Sequence, residues 1–135
     1  MTVVIDCNIL VMCITSRSPY HYIYQSIIRG KFNIVLSAPI ILEYEEIIQQ
    51  KYGVKTANAL ISLLNELNNV IQINPHYQWK LIDADPDDNK YCDCAIAGQA
   101  NFIVTEDRHF DILKNIPFPT LNVISIDEFL AILQS

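Results

Sequence analysis

The feature that most constrains this chain is alternation. Short runs rich in β-branched residues, Val3-Val4-Ile5, Asn33-Ile34-Val35-Leu36, Val70-Ile71-Gln72-Ile73, Phe102-Ile103-Val104 and Leu121-Asn122-Val123-Ile124, are separated by stretches with a helical period. Strands joined through helices run parallel, so the pattern predicts an α/β fold with a mostly parallel sheet flanked by helices. Ala57, Leu60, Ile61, Leu64 and Leu67 make one apolar helix face, and Ile126, Phe129, Leu130 and Leu133 make another. Ser37 with Pro39 marks a helix start, and Ser125 can cap the last helix. Segment 74–84 reads as loop; packing over the core is the simpler role for its Tyr77 and Trp79, with base stacking the alternative.

A chain of 135 residues, 51% of them hydrophobic, fills one core, so a single domain over 1–135 is expected. Three glycines are too few for a turn-dense all-β fold. No apolar run approaches the roughly 20 residues needed to cross a bilayer, and the start MTVVIDCNIL carries a carboxylate where a signal peptide has a basic flank. The expectation is a cytoplasmic protein with no membrane association. Cys7, Cys13, Cys92 and Cys94 lack zinc-site spacing and read as small buried apolar residues. The net charge of -6 argues against a protein that coats nucleic acid, because phosphate contact needs clustered Lys and Arg. An acidic chain can still act on phosphodiesters if its carboxylates hold divalent cations.

In a parallel α/β sheet, ligands collect at the carboxyl ends of the strands. Asp6 ends the first β run and Asp107 follows the fourth; the simpler account of each, alone, is a helix cap. Among Glu43, Glu45 and Glu46, a rotation of about 100° per residue puts Glu43 beside Ile40, Tyr44 and Ile47, whereas the other two point to either side of that stripe. Glu43 is therefore the acid that can reach inward rather than the solvated one. Asp93 stands inside Tyr91-Cys92-Asp93-Cys94-Ala95-Ile96-Ala97, where an unpaired ionised carboxylate costs several kcal/mol. Asp87 and Asp88 open the same helix, a favourable place for acids. Asn89 lies about 40° around the helix from Asp93, whereas Asp88 lies about 140° away.

Four or five acids with no histidine set, no reactive cysteine environment and no glycine-rich phosphate loop suit a hard cation, Mg²⁺ or Mn²⁺. Such ions activate water and stabilise charge on a phosphodiester without a covalent enzyme intermediate. Taken in order, Val4-Ile5-Asp6-Cys7-Asn8-Ile9-Leu10, Leu36-Ser37 with Glu43, Asp85-Pro86-Asp87-Asp88-Asn89-Lys90 running into Asp93-Cys94-Ala95, Ile103-Val104-Thr105-Glu106-Asp107 and Ile126-Asp127-Glu128-Phe129-Leu130 resemble the PIN-domain family over essentially the whole chain. They are most similar to the bacterial, VapC-like toxin components of toxin–antitoxin pairs.

The resemblance implies a three-layer α/β/α domain with a Mg²⁺- or Mn²⁺-dependent endoribonuclease site acting on single-stranded RNA. It places Asp6, Glu43 and Asp107 on the family's acidic positions, with Asn8 and Thr105 as supporting hydrogen-bonding residues. Relatives carry the third acid at the position of Asn89, so here that carboxylate is Asp93 one turn on or Asp88 just before. Asp93 is favoured, because burial among apolar residues explains it worst. Cys7 departs from the Thr common in relatives. Arg108, His109 and Lys90 are candidates for substrate phosphate, against the simpler reading of surface residues beside a loop. The resemblance also implies a cognate antitoxin partner and a homodimer.

Two rival enzymes fit less well. An aspartyl-nucleophile phosphatase needs a second Asp two residues after Asp6, where this chain has Asn8, and a receiver domain needs an Asp ending the middle strand, where it has Asn74-Pro75. A non-catalytic RNA- or protein-binding module of the same fold is the alternative from another class.

Overall fold

A computed structural model describes all 135 residues. Five strands, β1 (Thr2–Ile5), β2 (Asn33–Leu36), β3 (Val70–Gln72), β4 (Phe102–Val104) and β5 (Val123–Ile124), form one sheet in the order β3-β2-β1-β4-β5. Every neighbouring pair is parallel. The helices α1 (Cys7–Cys13), α2 (His21–Ile28), α3 (Ala38–Tyr52), α4 (Val54–Glu66), α5 (Asn89–Ala97) and α6 (Ile126–Gln134) connect and flank the strands. β1 lies at the centre. From it the chain steps outward to β2 and β3, then returns through α5 to place β4 on the other side. That reversal puts a crevice between the carboxyl ends of β1 and β4, where parallel sheets bind ligands.

The strands are short but dry. Val3, Val4, Ile5, Ile34, Val35, Leu36, Ile103 and Val104 are all buried, as expected of strands covered on both faces. α5 packs on β1, β2 and β4, and its end comes so close that a Cβ on Gly98 would stand 2.6 Å from a Val35 methyl. Gly53, with φ of 94°, makes the sharp turn between α3 and α4 that a side chain would strain.

The helix starts follow the sequence with one exception. Ser125 and Glu128 form a full capping box on α6. Ser37 occupies the cap position of α3 in extended backbone, but its hydroxyl makes no bond to the helix. β5 is shorter than its apolar run: Leu121-Asn122 lies outside it, although the Asn122 carbonyl still accepts the Ile103 N–H at 2.8 Å. Residues 74–84 contain no helix or strand, as expected of a loop. Its aromatics do not pack over the core: Tyr77, 66% exposed, and Trp79 meet edge to face, and Trp79 meets the exposed Phe118 in the same way. All four cysteines are buried and free, and burial pushes each thiol up to about 12. Such thiols are protonated at neutral pH and make poor metal ligands.

Candidate metal centre

Asp6 is held at the strand end by its own backbone. Its N–H donates to the Val104 carbonyl at 3.0 Å, extending the β1–β4 ladder, while its carbonyl accepts the Ile9 N–H at 3.0 Å and starts α1. The side chain must therefore emerge between β1 and β4. It is 5% exposed, and Thr105 Oγ1 donates to Asp6 Oδ2 at 2.7 Å. Burial raises the Asp6 pKa; the Thr105 hydrogen bond opposes this, and the charges of Glu43 and Asp107 add to the rise. Thr105 Oγ1 in turn accepts the Asp107 N–H at 3.0 Å, so one hydroxyl fixes both acids. Asp107 opens a 3₁₀ segment, Arg108–Asn115, and Asp107 Oδ1 accepts the His109 N–H at 2.9 Å.

Glu43 turns inward from α3, half-buried as its helical position requires, while Glu46 is exposed. Both its oxygens are held. Lys90 Nζ lies 3.1 Å from Glu43 Oε2, and the Tyr91 hydroxyl donates to Glu43 Oε1. That hydroxyl also accepts the Cys7 N–H at 3.2 Å, so Tyr91 ties α5 to the starts of α1 and the middle of α3. Burial first, then the neighbouring Tyr44 phenol, keeps the Tyr91 proton in place. Lys90 is thus an ion-pair partner of Glu43 rather than an open phosphate contact. Asn8 and Arg108 stand exposed at the rim.

Of the two candidates for the third acid, Asp88 rather than Asp93 lies within reach of the charges of Asp6 and Asp107. Burial first, then the charges of Asp85, Asp107 and Asp6, pushes the Asp88 carboxyl up to about 6; His109 opposes the shift only in part. Asp88 Oδ2 is fully buried with no hydrogen-bond partner, the only such side-chain atom in the protein. His109 Nδ1 lies 3.5 Å from Asp88 Oδ2 and 3.3 Å from Asp107 Oδ1. The charges of Asp85, Asp107 and Asp6 thus all bear on Asp88, with His109 the group beside it that offsets them.

Asp93 belongs to a different construction. Its Oδ1 accepts the Trp79 N–H at 3.0 Å, and its raised pKa comes from burial, offset by that bond, with no contribution from the other acids. One turn back, the Asn89 amide brackets Ile82, Oδ1 accepting its N–H at 2.8 Å and Nδ2 donating to its carbonyl at 3.0 Å. Asn89 and Asp93 share a face, as the helical rotation predicts, but that face anchors loop 74–84. An irregular loop needs partners for its backbone groups, and these two side chains supply them. The feature that makes Asp93 look anomalous in sequence is thus met by a backbone N–H that no local pattern displays.

Asp85 and Tyr91 were not singled out by sequence reasoning. Asp85 Oδ1 caps its turn by accepting the Asp87 N–H at 3.2 Å, and Asp-Pro before two acids is the trace it leaves in sequence. Tyr91 hides in an apolar run, where only its hydroxyl sets it apart. A cleft of about 740 Å³ walled by Glu43, Lys90, Asn89, Asp93, Tyr77 and Lys80 among others meets the site at Glu43, while Asp6, Asp88 and Asp107 do not line it.

An orphaned buried carboxylate oxygen among acids fits a hard divalent ion: one ligand atom each from Asp85, Asp88 and His109 lies within 4.8 Å of the other two, and the charges of Asp107 and Asp6 act on Asp88. Comparisons with known proteins agree on the architecture. The structure of VapBC2 from Rickettsia felis bound to a DNA fragment from their promoter is similar with a TM-score of 0.64 at 19% identity, over 93% of this chain and 98% of that one. VapBC-1 from nontypeable Haemophilus influenzae is similar with a TM-score of 0.64 at 16% identity, over 94% and 99%. No curated protein matches the chain. The PIN-domain family model matches residues 2–109, which include Asp6, Glu43, Asp88 and Asp107, and the chain belongs to the PIN-domain family.

Proposed function

We propose that this protein is a divalent-cation-dependent endoribonuclease that hydrolyses phosphodiester bonds of single-stranded RNA, using Mg²⁺ or Mn²⁺. The observation that carries this reading is Asp88 Oδ2, a buried carboxylate oxygen without a partner, facing the charges of Asp6 and Asp107. Orphaned buried acceptors are costly and are usually satisfied by something bound. When bound, the cation supplies Lewis-acid polarisation of the phosphodiester and lowers the pKa of a water.

The chain's own residues prepare that chemistry. Thr105 orients Asp6 by donating to Oδ2 and sets Asp107 by accepting its N–H. Tyr91 and Lys90 hold the Glu43 carboxylate at the edge of the cluster, where it can direct the proton of an attacking water. Lys90 lines the cleft beside Glu43, so its charge also offsets some of the repulsion a substrate phosphate meets there. His109 and the exposed Arg108 flank the opposite rim. No helix is long and apolar enough to cross a membrane.

The two similar structures are toxin–antitoxin assemblies by their names, and on that basis we place this chain with the toxin components, working in the cytoplasm as a homodimer with a cognate antitoxin protein. The deciding experiment incubates purified protein with unstructured RNA and Mn²⁺ or Mg²⁺, with EDTA and Asp6→Asn as controls. Cleavage that needs both cation and Asp6 is expected. Equal cleavage by the variant, or none by the wild type on any RNA tried, would favour the non-catalytic binding module. An adjacent reading frame for a small protein whose co-expression relieves growth arrest is the expected sign of the antitoxin.

A further inference from the structure

We propose that Tyr77, Trp79 and Phe118 form a stacking platform for unpaired bases of the RNA strand, outside the metal centre and joined to it by the cleft. The inference rests on the nuclease reading for the identity of the strand, and it gives that strand a place to lie beyond the scissile phosphate.

The three rings make a row. Tyr77 and Trp79 meet edge to face with centroids 4.8 Å apart, and Trp79 meets Phe118 in the same way at 6.1 Å. Trp79 is half-buried in the middle, whereas Tyr77 and Phe118 are 66% and 79% exposed at the two ends. None of the three belongs to the core, and grouped apolar rings left in water mark a binding surface. The row is held by the elements that carry the acids. Asp93 of α5 accepts the Trp79 N–H at 3.0 Å, and Asn89 of α5 takes both backbone groups of Ile82. Lys80, between these two anchors, has φ of 54°, a conformation that a lysine keeps only where its surroundings impose it. Phe118 arrives from the segment that follows the 3₁₀ stretch opened by Asp107. A platform fixed in advance loses little freedom on binding.

Position and charge select the occupant. Tyr77 lines the cleft that meets the site at Glu43, which gives a strand whose phosphate lies at the acids a way out past the rings. Acids outnumber Lys80 and Lys90 along the cleft walls, so a strand lying there keeps its phosphates toward solvent and turns its bases inward. Aromatic faces are what inward-turned bases need, because every base has a π-face and the bases of single-stranded RNA are free to stack on protein rings. The amides of Asn74 and Gln78 line the same cleft and offer donors and acceptors to base edges. A double helix has its base faces covered, so the platform favours unpaired RNA.

Trp79 is the only tryptophan in the chain, which makes the platform its own probe. The full chain carrying Asp6→Asn, with Mg²⁺ present, is titrated with oligoadenylate and with an abasic ribose-phosphate strand of the same length. Oligoadenylate is expected to quench Trp79 fluorescence and to bind about fivefold or more tighter than the abasic strand, the low end for one base stacked on an aromatic ring. Tyr77→Leu and Phe118→Leu should each lower that preference, whereas Tyr77→Phe, which keeps the ring, should retain it. Circular dichroism on each variant separates loss of binding from loss of fold. Equal affinity of the parent chain for the two strands, or Leu variants that bind oligoadenylate as tightly as their parent, would overturn the platform and hand the exposed rings to a protein partner. Stacking by a protein whose wild type cuts no RNA sinks the nuclease reading and keeps the platform. Cleavage with KM unchanged in both Leu variants keeps the nuclease reading and sinks the platform.

Discussion

Two sides of one helix start behave in opposite ways. On one, Asp88 joins Asp6 and Asp107 with a buried oxygen that has no partner. On the other, both polar atoms of the Asn89 amide and one oxygen of Asp93 are bonded to the backbone of loop 74–84. Both sides hold a partly buried acid in a nearly apolar helix, so type and burial alone do not separate a structural carboxylate from a chemical one. Satisfaction does. The side whose side chains bond the loop backbone is scaffold, and the side with an unpartnered buried oxygen is the one we propose takes a ligand.

The sharpest way to break the comparison is to exchange charge for amide on each side. Asp88→Asn is expected to lower RNA cleavage by about a hundredfold or more, the scale for removing one well-aimed electrostatic group. Asp93→Asn keeps an oxygen for the Trp79 N–H and should change cleavage by less than about threefold. Rates at saturating Mn²⁺ decide it. If Asp93→Asn were the dead variant, the assignment of the two sides would be reversed.

The pair also shows what sequence carries here. Alternation of β runs and helical periods was enough for the parallel sheet, and the sheet alone put Asp6 and Asp107 at one end, because strand ends are a topological property. Helical rotation was enough for Glu43, and for the shared face of Asn89 and Asp93. It could not say what that face meets, since the Trp79 and Ile82 backbone groups lie in a segment with no period to read. The surroundings of Asp88 are hidden for the same reason. Acids at a helix start have a local explanation in the helix dipole, whereas the charges of Asp107 and Asp6 that act on Asp88 arrive from elsewhere in the fold.

A second test acts on the scaffold side only. Asn89→Ala removes both bonds to Ile82 and leaves a buried backbone N–H and carbonyl without partners, which costs about 1 to 3 kcal/mol of stability. Denaturant titration should show that loss, and hydrogen exchange should show it concentrated in residues 74–84. Uniform loss of protection across the sheet, with loop 74–84 unchanged, would show that Asn89 serves the core rather than the loop.

The smallest expected effect is the dependence of stability on pH without a cation. The Asp88 carboxyl is pushed up to about 6 from 3.8, chiefly by burial. The folded state therefore binds a proton that the unfolded chain releases between about pH 4 and pH 6, and linkage makes the Asp88 contribution to stability fall as pH rises through that window, then level off. Asp6, raised by burial first, acts in the same direction. Cation binding needs the ionised carboxylates, so the gain in Tm from Mn²⁺ should be small at about pH 5 and larger at about pH 7. The difference in Tm between wild type and Asp88→Asn, followed over that range, isolates the term from other titrating groups. In the absence of cation the wild type should lose ground to the variant as pH rises. A difference that stayed flat would mean that Asp88 is compensated after all, and the contrast between the two sides of α5 would lose its electrostatic basis.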